Sequence, residues 1–334
     1  MLARVSWICL LVACDSTASV ADAGRDAAAT DSAVAPDAAL VDTGPLPTGW
    51  RTETPLPFAV QELAYTMHDG SIVIAGGIDG RLATRTDVLA LDPGASSWRA
   101  LPSLPGPRHH VGLASLGGDL YALGGMDSLA FDPLGECFVL RAGAMAWTPI
   151  APMPETRAAA LVATVGGRIV VIGGQTRGGL ASAVLVYDPA ADAWSSAASL
   201  PRPREHLAGF VDGAEVWLVG GRNFTLDTAG ALVDVYDPTG DVFRESAPLV
   251  GPHAGHGSVM SGTTALVVGG ELPDSVVDTV ETRASDGTWS VLTHVPTPRH
   301  GLAIGVLDGR LYVIGGATAP TFGASDVVES FALP

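Results

Sequence analysis

SIVIAGG (71–77), DLYALGG (119–125), RIVVIGG (168–174), EVWLVGG (215–221), TALVVGG (264–270) and RLYVIGG (310–316) are six renderings of one pattern, a short apolar run closed by a glycine pair. The pairs follow one another at intervals of 48, 49, 47, 49 and 46 residues. A period of this size marks a repeat architecture, in which one unit cannot bury its own apolar faces and must stack on its neighbours. Each run has the length and composition of a strand, and the glycines supply the backbone freedom that a tight turn and a close approach between units require.

A second marker keeps phase with the first: Trp50, Trp98, Trp147, Trp194, Phe243 and Trp289. A third is the Asp-Pro pair six residues before the aromatic, at Asp92-Pro93, Asp188-Pro189 and Asp237-Pro238, with Arg141 and Arg283 standing at that phase in two units. An arginine near the start of a strand, a glycine pair ending the next strand and a tryptophan downstream together resemble the kelch repeat, over about residues 47 to 334. The resemblance implies an all-β fold, a six-bladed kelch-type β-propeller of four-stranded sheets around a central channel. Blade three then reads as strands near Ala158–Val165, Arg168–Ile172, Ala183–Tyr187 and Ala193–Ala197. The tryptophan covers apolar area between blades. The last blade runs out of chain after Asp326–Leu333, whereas Trp50 precedes the first blade. The strand around Trp50–Thr54 is therefore expected to complete blade six and close the ring, leaving no open edge.

Before the repeats, residues 1–13 carry one arginine, an apolar run and a small residue, the layout of an export signal. Leu11-Val12-Ala13-Cys14 resembles a bacterial lipobox, which implies lipidation at Cys14. Residues 14–46 are rich in Ala and Asp without an aromatic, a composition expected to stay disordered as a tether. The expected location is therefore an exported, membrane-anchored lipoprotein facing the periplasm or the cell surface, and the domain is expected to be a monomer. No apolar stretch in the sequence reaches the 18 residues of a membrane span. Cys137 reads as a small buried hydrophobe rather than a nucleophile.

The formal charge is −17, and all 18 basic residues are arginine. That balance excludes a nucleic-acid surface and leaves the lipid as the only membrane contact. In kelch-like propellers, the loops between second and third strands share a face with those that lead into each inner strand. At the lead-in phase stand Val60, Arg108, Arg157, Arg204, His253 and Arg299; two residues later come Glu62, His110, Ala159, His206, Gly255 and Gly301. With His109, Glu205, His256 and His300 beside them, six of the eight histidines gather at one end of the inner strands. The candidate ligand-binding set is Arg108, His110, Arg157, Arg204, His206, His253, His256, Arg299 and His300, read as a cationic mouth suited to a carboxylate, a sulfate or a sugar acid.

Imidazoles can hold copper or zinc, but these come from different blades, and neither HxH nor HExxH is present. No metal or cofactor is therefore assigned. Ser-His-Asp order, a nucleophile elbow and a phosphate-cradling loop are likewise missing. The leading expectation is a non-enzymatic, surface-tethered module that binds an unknown protein or glycan through the loop face. A sugar-acid enzyme similar to the bacterial kelch-type sialic acid mutarotases is the alternative. A copper oxidase of galactose-oxidase type comes third, since that family uses seven blades and tyrosine ligands.

Overall fold

The computed structural model describes residues 46–334; the expected export signal, Cys14 and nearly all of the tether lie outside them. Six four-stranded antiparallel sheets follow one another along the chain. Blade one is Ala64–His68, Ser71–Ala75, Val88–Leu91 and Arg99–Leu101; blade two is Gly112–Leu116, Asp119–Leu123, Cys137–Leu140 and Thr148–Ile150. Blade three is Leu161–Val165, Arg168–Ile172, Ala183–Asp188 and Ala193–Ser199; blade four is Ala208–Asp212, Glu215–Val219, Val233–Asp237 and Val242–Glu245. Blade five is Gly257–Ser261, Thr264–Val268, Thr279–Arg283 and Trp289–His294. Blade six takes three strands from the C-terminal end, Ala303–Leu307, Arg310–Ile314 and Val328–Ala332, and its fourth from Trp50–Thr52. Trp50 pairs with Phe331 and Thr52 with Glu329, so the two ends of the propeller hold one sheet together as expected.

The core is six interfaces rather than one centre. Ile72 and Ile74 point toward blade six, where they meet Ala303, Leu307 and Ile314. Their neighbours Val73 and Ala75 point the other way, to Val111, Leu113 and Ala122 of blade two. Period-two alternation thus buries both faces of every second strand, which is why those runs are apolar at every position after the first. Two tryptophans bolt their outer strands to the preceding blade: Trp147 Nε1 donates to Pro102 O and Trp194 Nε1 to Ala151 O, each at 2.8 Å.

The glycine pairs carry the inter-blade staple. Gly125 N–H donates to Arg157 O at 2.8 Å, and the same bond recurs from Gly77 to Arg108, Gly174 to Arg204, Gly221 to His253 and Gly270 to Arg299. Gly316 to Val60 O closes the cycle. Each lead-in residue therefore holds the preceding blade with its main chain. The inner strand of blade three begins at Leu161 rather than Ala158, because Ala158 forms an isolated bridge to Gln175 and Ala159 is left-handed, φ 51°.

Candidate functional site

Two residues beyond each staple, the chain takes a left-handed turn. Glu62, His110, Ala159, His206, Gly255 and Gly301 all have φ between 51° and 63°. Their main chains form a ring around the axis: His110 N donates to Glu62 O, Ala159 N to His110 O, His206 N to Ala159 O, Gly255 N to His206 O and Gly301 N to Gly255 O. Left-handed conformations at Glu and His cost of order 1–2 kcal/mol each, and the ring of bonds over-determines them. The turn also decides where side chains go, since it directs this residue at the channel.

The lead-in arginines go elsewhere, which corrects the expectation of a cationic mouth. Arg204 is 3% exposed and bonds Asp234 at 2.7 Å and Gly220 O at 2.6 Å. Arg299 is fully buried on Glu329 at 3.0 Å and the carbonyls of Val313 and Val327. Arg157 reaches Glu155 and Ala183 O, and Arg108 reaches Glu136 and Pro107 O. His253 replaces the arginine in blade five, with Nε2 on Glu281 at 2.9 Å and Nδ1 on Gly269 O at 2.7 Å. In blades two, four, five and six an arginine or histidine side chain thus ties the lead-in to a carboxylate on or just before the third strand of the same blade. These five side chains are structural, and none faces the mouth.

What does converge is a mixed cluster. His110 Nε2 lies 2.9 Å from His206 Nε2 and 3.1 Å from Glu62 Oε2, and His206 Nε2 lies 4.0 Å from the same oxygen. Each of the three offers one donor atom to a common point, so they are the residues that could hold a metal ion. Behind them, His206 Nδ1 meets the carboxylate of Glu205, which also accepts from Gln175 Nε2 at 2.9 Å and Arg222 Nε at 2.8 Å. Arg222 bridges on to Glu271, and His300 lies 3.4 Å from both Glu271 and Glu62.

The charges are set by burial and by this network. Burial drives the His110 imidazole down to about 3 despite Glu62 beside it. Burial pushes the Glu62 carboxyl up, but His110, His300 and His206 more than offset this and hold it well below the usual range. Glu205 is held at about 2, its burial outweighed by His206 and Arg222. His300 is raised, Glu62 and Glu271 overcoming its burial. The floor thus interleaves three carboxylates, Glu62, Glu205 and Glu271, with Arg222 and the imidazoles of His110, His206 and His300.

The cluster partitions the channel. Above it, a funnel of about 260 Å³ opens between the loops; below it, a second cavity of about 300 Å³ runs between the inner strands. Tyr65 crosses this lower cavity to Ser258, accepting from its N–H at 2.8 Å, and burial pushes the phenol up to about 12. Phe131, Phe224 and Phe322 stand around the funnel, all exposed, the first two in left-handed turns. In the sequence, Glu271, Gln175 and Arg222 carry no motif that marks them for the floor. Their shared signal is position: Ile78, Met126, Gln175, Arg222, Glu271 and Ala317 each follow a glycine pair directly. That residue bridges the one after the lead-in, as in Glu205 with Arg222 and His109 with Met126.

His256 lines the lower cavity, and neither ring nitrogen has a hydrogen-bond partner among the described residues. Burial, and then His253, hold it well below its ordinary 6.5, so it is neutral in the folded protein. The unfolded chain takes up a proton there below about pH 6.5, so this contribution is complete above that pH and is lost as pH falls. One such group removes about 1.4 kcal/mol per pH unit over that range. Urea denaturation at about pH 7 and about pH 5 is expected to show a shallower acid loss for His256→Leu than for the unmodified protein. Cys137 is 1% exposed, and burial pushes its thiol up to about 12, which fits the inert role read from its surroundings.

The Kelch motif family matches residues 156–201, the lead-in and strands of blade three. The fold is that of a kelch-repeat β-propeller. The propeller superposes on the solved structure of YjhT with a TM-score of 0.70 at 19% identity, covering 82% of this chain and 95% of that one, a likeness that carries the fold alone. A curated relative, Kelch-like protein 40 of Mus musculus, is 33% identical over 81 residues, which span 24% of this chain and 13% of the relative. Kelch propellers in general serve protein interaction or enzyme-like roles, and their shared fold does not choose between them.

Proposed function

We propose that the propeller is a non-enzymatic recognition module that takes one hydroxyl-rich unit, the terminal sugar of a glycan, into the funnel at the loop face. The observation that carries this reading is the pairing of three exposed rings, Phe131, Phe224 and Phe322, with a polar floor. Sugar rings present apolar C–H faces to aromatic side chains and hydroxyls to such a floor. The funnel, at about 260 Å³, suits a small ligand rather than a broad protein surface. The three carboxylates of its floor, Glu62, Glu205 and Glu271, favour a neutral or cationic sugar over a sugar acid, which weighs against the mutarotase-like alternative. Export and a lipid on Cys14 belong to the same proposal: they would display the loop face beyond a membrane.

A glycan array probed with the full chain is expected to select neutral or amino sugars. Phe224→Ala should weaken the selected glycan about tenfold, as expected for truncating an aromatic anchor. An array without hits, or hits indifferent to both Phe131→Ala and Phe224→Ala, overturns the reading.

A further inference from the structure

We propose that Glu62, His110 and His206 bind a divalent first-row transition-metal ion, zinc or ferrous iron by donor set, at the partition between funnel and channel.

Hydrogen-bond geometry aims the ring nitrogens. His109 Nε2 faces the carbonyl of Ser128 at 3.0 Å and donates to it. His109 Nδ1 and His110 Nδ1 face each other at 2.5 Å, so the Nδ1 side of the His110 ring is engaged and its Nε2 is turned to the axis. His206 Nδ1 faces the Glu205 carboxylate, which turns its Nε2 to the same point.

The two imidazole Nε2 atoms and the Glu62 Oε2 carboxylate oxygen thus converge, at 2.9, 3.1 and 4.0 Å from one another. Arg222 Nη2 stands 3.3 Å from His206 Nε2, a contact that a bound cation would displace while Arg222 keeps its bonds to Glu205 and Glu271. All three atoms are Lewis bases, so a cation at their centre draws them together. The point equidistant from all three lies about 2.0 Å from each, the length of a zinc–imidazole or zinc–carboxylate bond.

The surroundings are built as metal sites are. Each ligand is oriented by a partner behind it: His110 by His109, His206 by Glu205, Glu62 by His300. The other three ring positions are Ala159, Gly255 and Gly301, which add no bulk. A Cβ on Gly301 would stand 2.6 Å from Glu62 Oε1, so that position has to be bare for the carboxylate to reach the axis. Two imidazoles and one carboxylate suit zinc or iron, and three protein ligands leave coordination positions free toward both cavities.

The test uses the full chain, stripped with a chelator and titrated with Co²⁺ as a visible probe, alongside elemental analysis after equilibration with Zn²⁺ or anaerobic Fe²⁺. The expected result is one ion per chain, with d–d absorption that appears on Co²⁺ addition. That signal should vanish in His206→Ala and in the near-isosteric Glu62→Gln, the second keeping the test valid if the first misfolds. Glu205→Gln should weaken the affinity by roughly 10–100-fold, the usual cost of losing an orienting partner. Phe224→Ala should bind the ion unchanged, which separates this site from glycan capture. A chain that retains no ion, so that the gap between His110 and His206 holds only a proton, overturns the proposal. So does unaltered binding in Glu62→Gln.

Discussion

Arg299→Ala is expected to destabilise the propeller by about 3–5 kcal/mol, enough to lower its urea midpoint well below that of the unmodified chain. The guanidinium is fully buried, and burial lowers its pKa to about 10 while Glu329 works against that shift, so it stays charged at neutral pH. Its partner Glu329 is 3% exposed and sits on Val328–Ala332, between Val313 of the second strand and Thr52 of the closing strand. Truncating the arginine leaves that carboxylate in the sheet with only Thr297 Oγ1, at 2.9 Å, to bond it. It also removes the arginine's bonds to Val313 O and Val327 O, the second of which keeps the N–H of Gly315 at 2.9 Å. The charged pair itself supplies little net energy, and most of the loss comes from the partner left alone. The double variant Arg299→Met with Glu329→Leu should therefore recover much of what the single variant loses. Arg177→Ala, in an exposed loop, should stay within about 0.5 kcal/mol of the unmodified protein. Equal losses in the single and double variants would show that shape, not the orphaned charge, sets the cost.

The same arginine shows what could and could not be read in the sequence. Its phase, the glycine pairs and the tryptophans are one-dimensional signals, and they were sufficient for blade number, strand order and the closure by Trp50–Thr52. Its direction was not readable. Lead-in, bridge and ring positions are consecutive, as in Arg204, Glu205 and His206, and a left-handed residue at the third turns the first back into its blade. Glycine at that phase, Gly255 and Gly301, was the only hint of positive φ; Glu62, His110 and His206 adopt it without the usual residue type. The pairing of His110 with His206 across 96 residues has no local signature at all, because it arises only when six blades close on one axis. Charge is hidden for the same reason: arginines near the mouth predict a cationic funnel, whereas the ring directs Glu62 inward and the bridges bring in Glu205 and Glu271.

Gly124→Ala is expected to cost about 2–5 kcal/mol, and a second glycine shows which part of that is conformation. Gly124 has φ 63°, and a Cβ there would stand 2.2 Å from Arg157 O, 2.8 Å from Met153 Cε and 3.0 Å from Leu134 O. Both oxygens are main-chain, Arg157 O being the acceptor of the inter-blade staple and Leu134 O the acceptor of Arg157 N–H, so the methyl can be admitted only by moving blade two from blade three. Gly117, in the hairpin between the first two strands of blade two, has nearly the same φ, 62°, with nothing within 4 Å of its Cβ position. Gly117→Ala therefore meets only the left-handed strain, about 1–2 kcal/mol. The difference between the two variants, read from their urea midpoints at equal slope, measures the close approach alone. If the two alanines cost the same, the glycine pairs serve backbone conformation only, and the contact between each pair and the next blade's lead-in carbonyl is not what fixes the spacing of the ring.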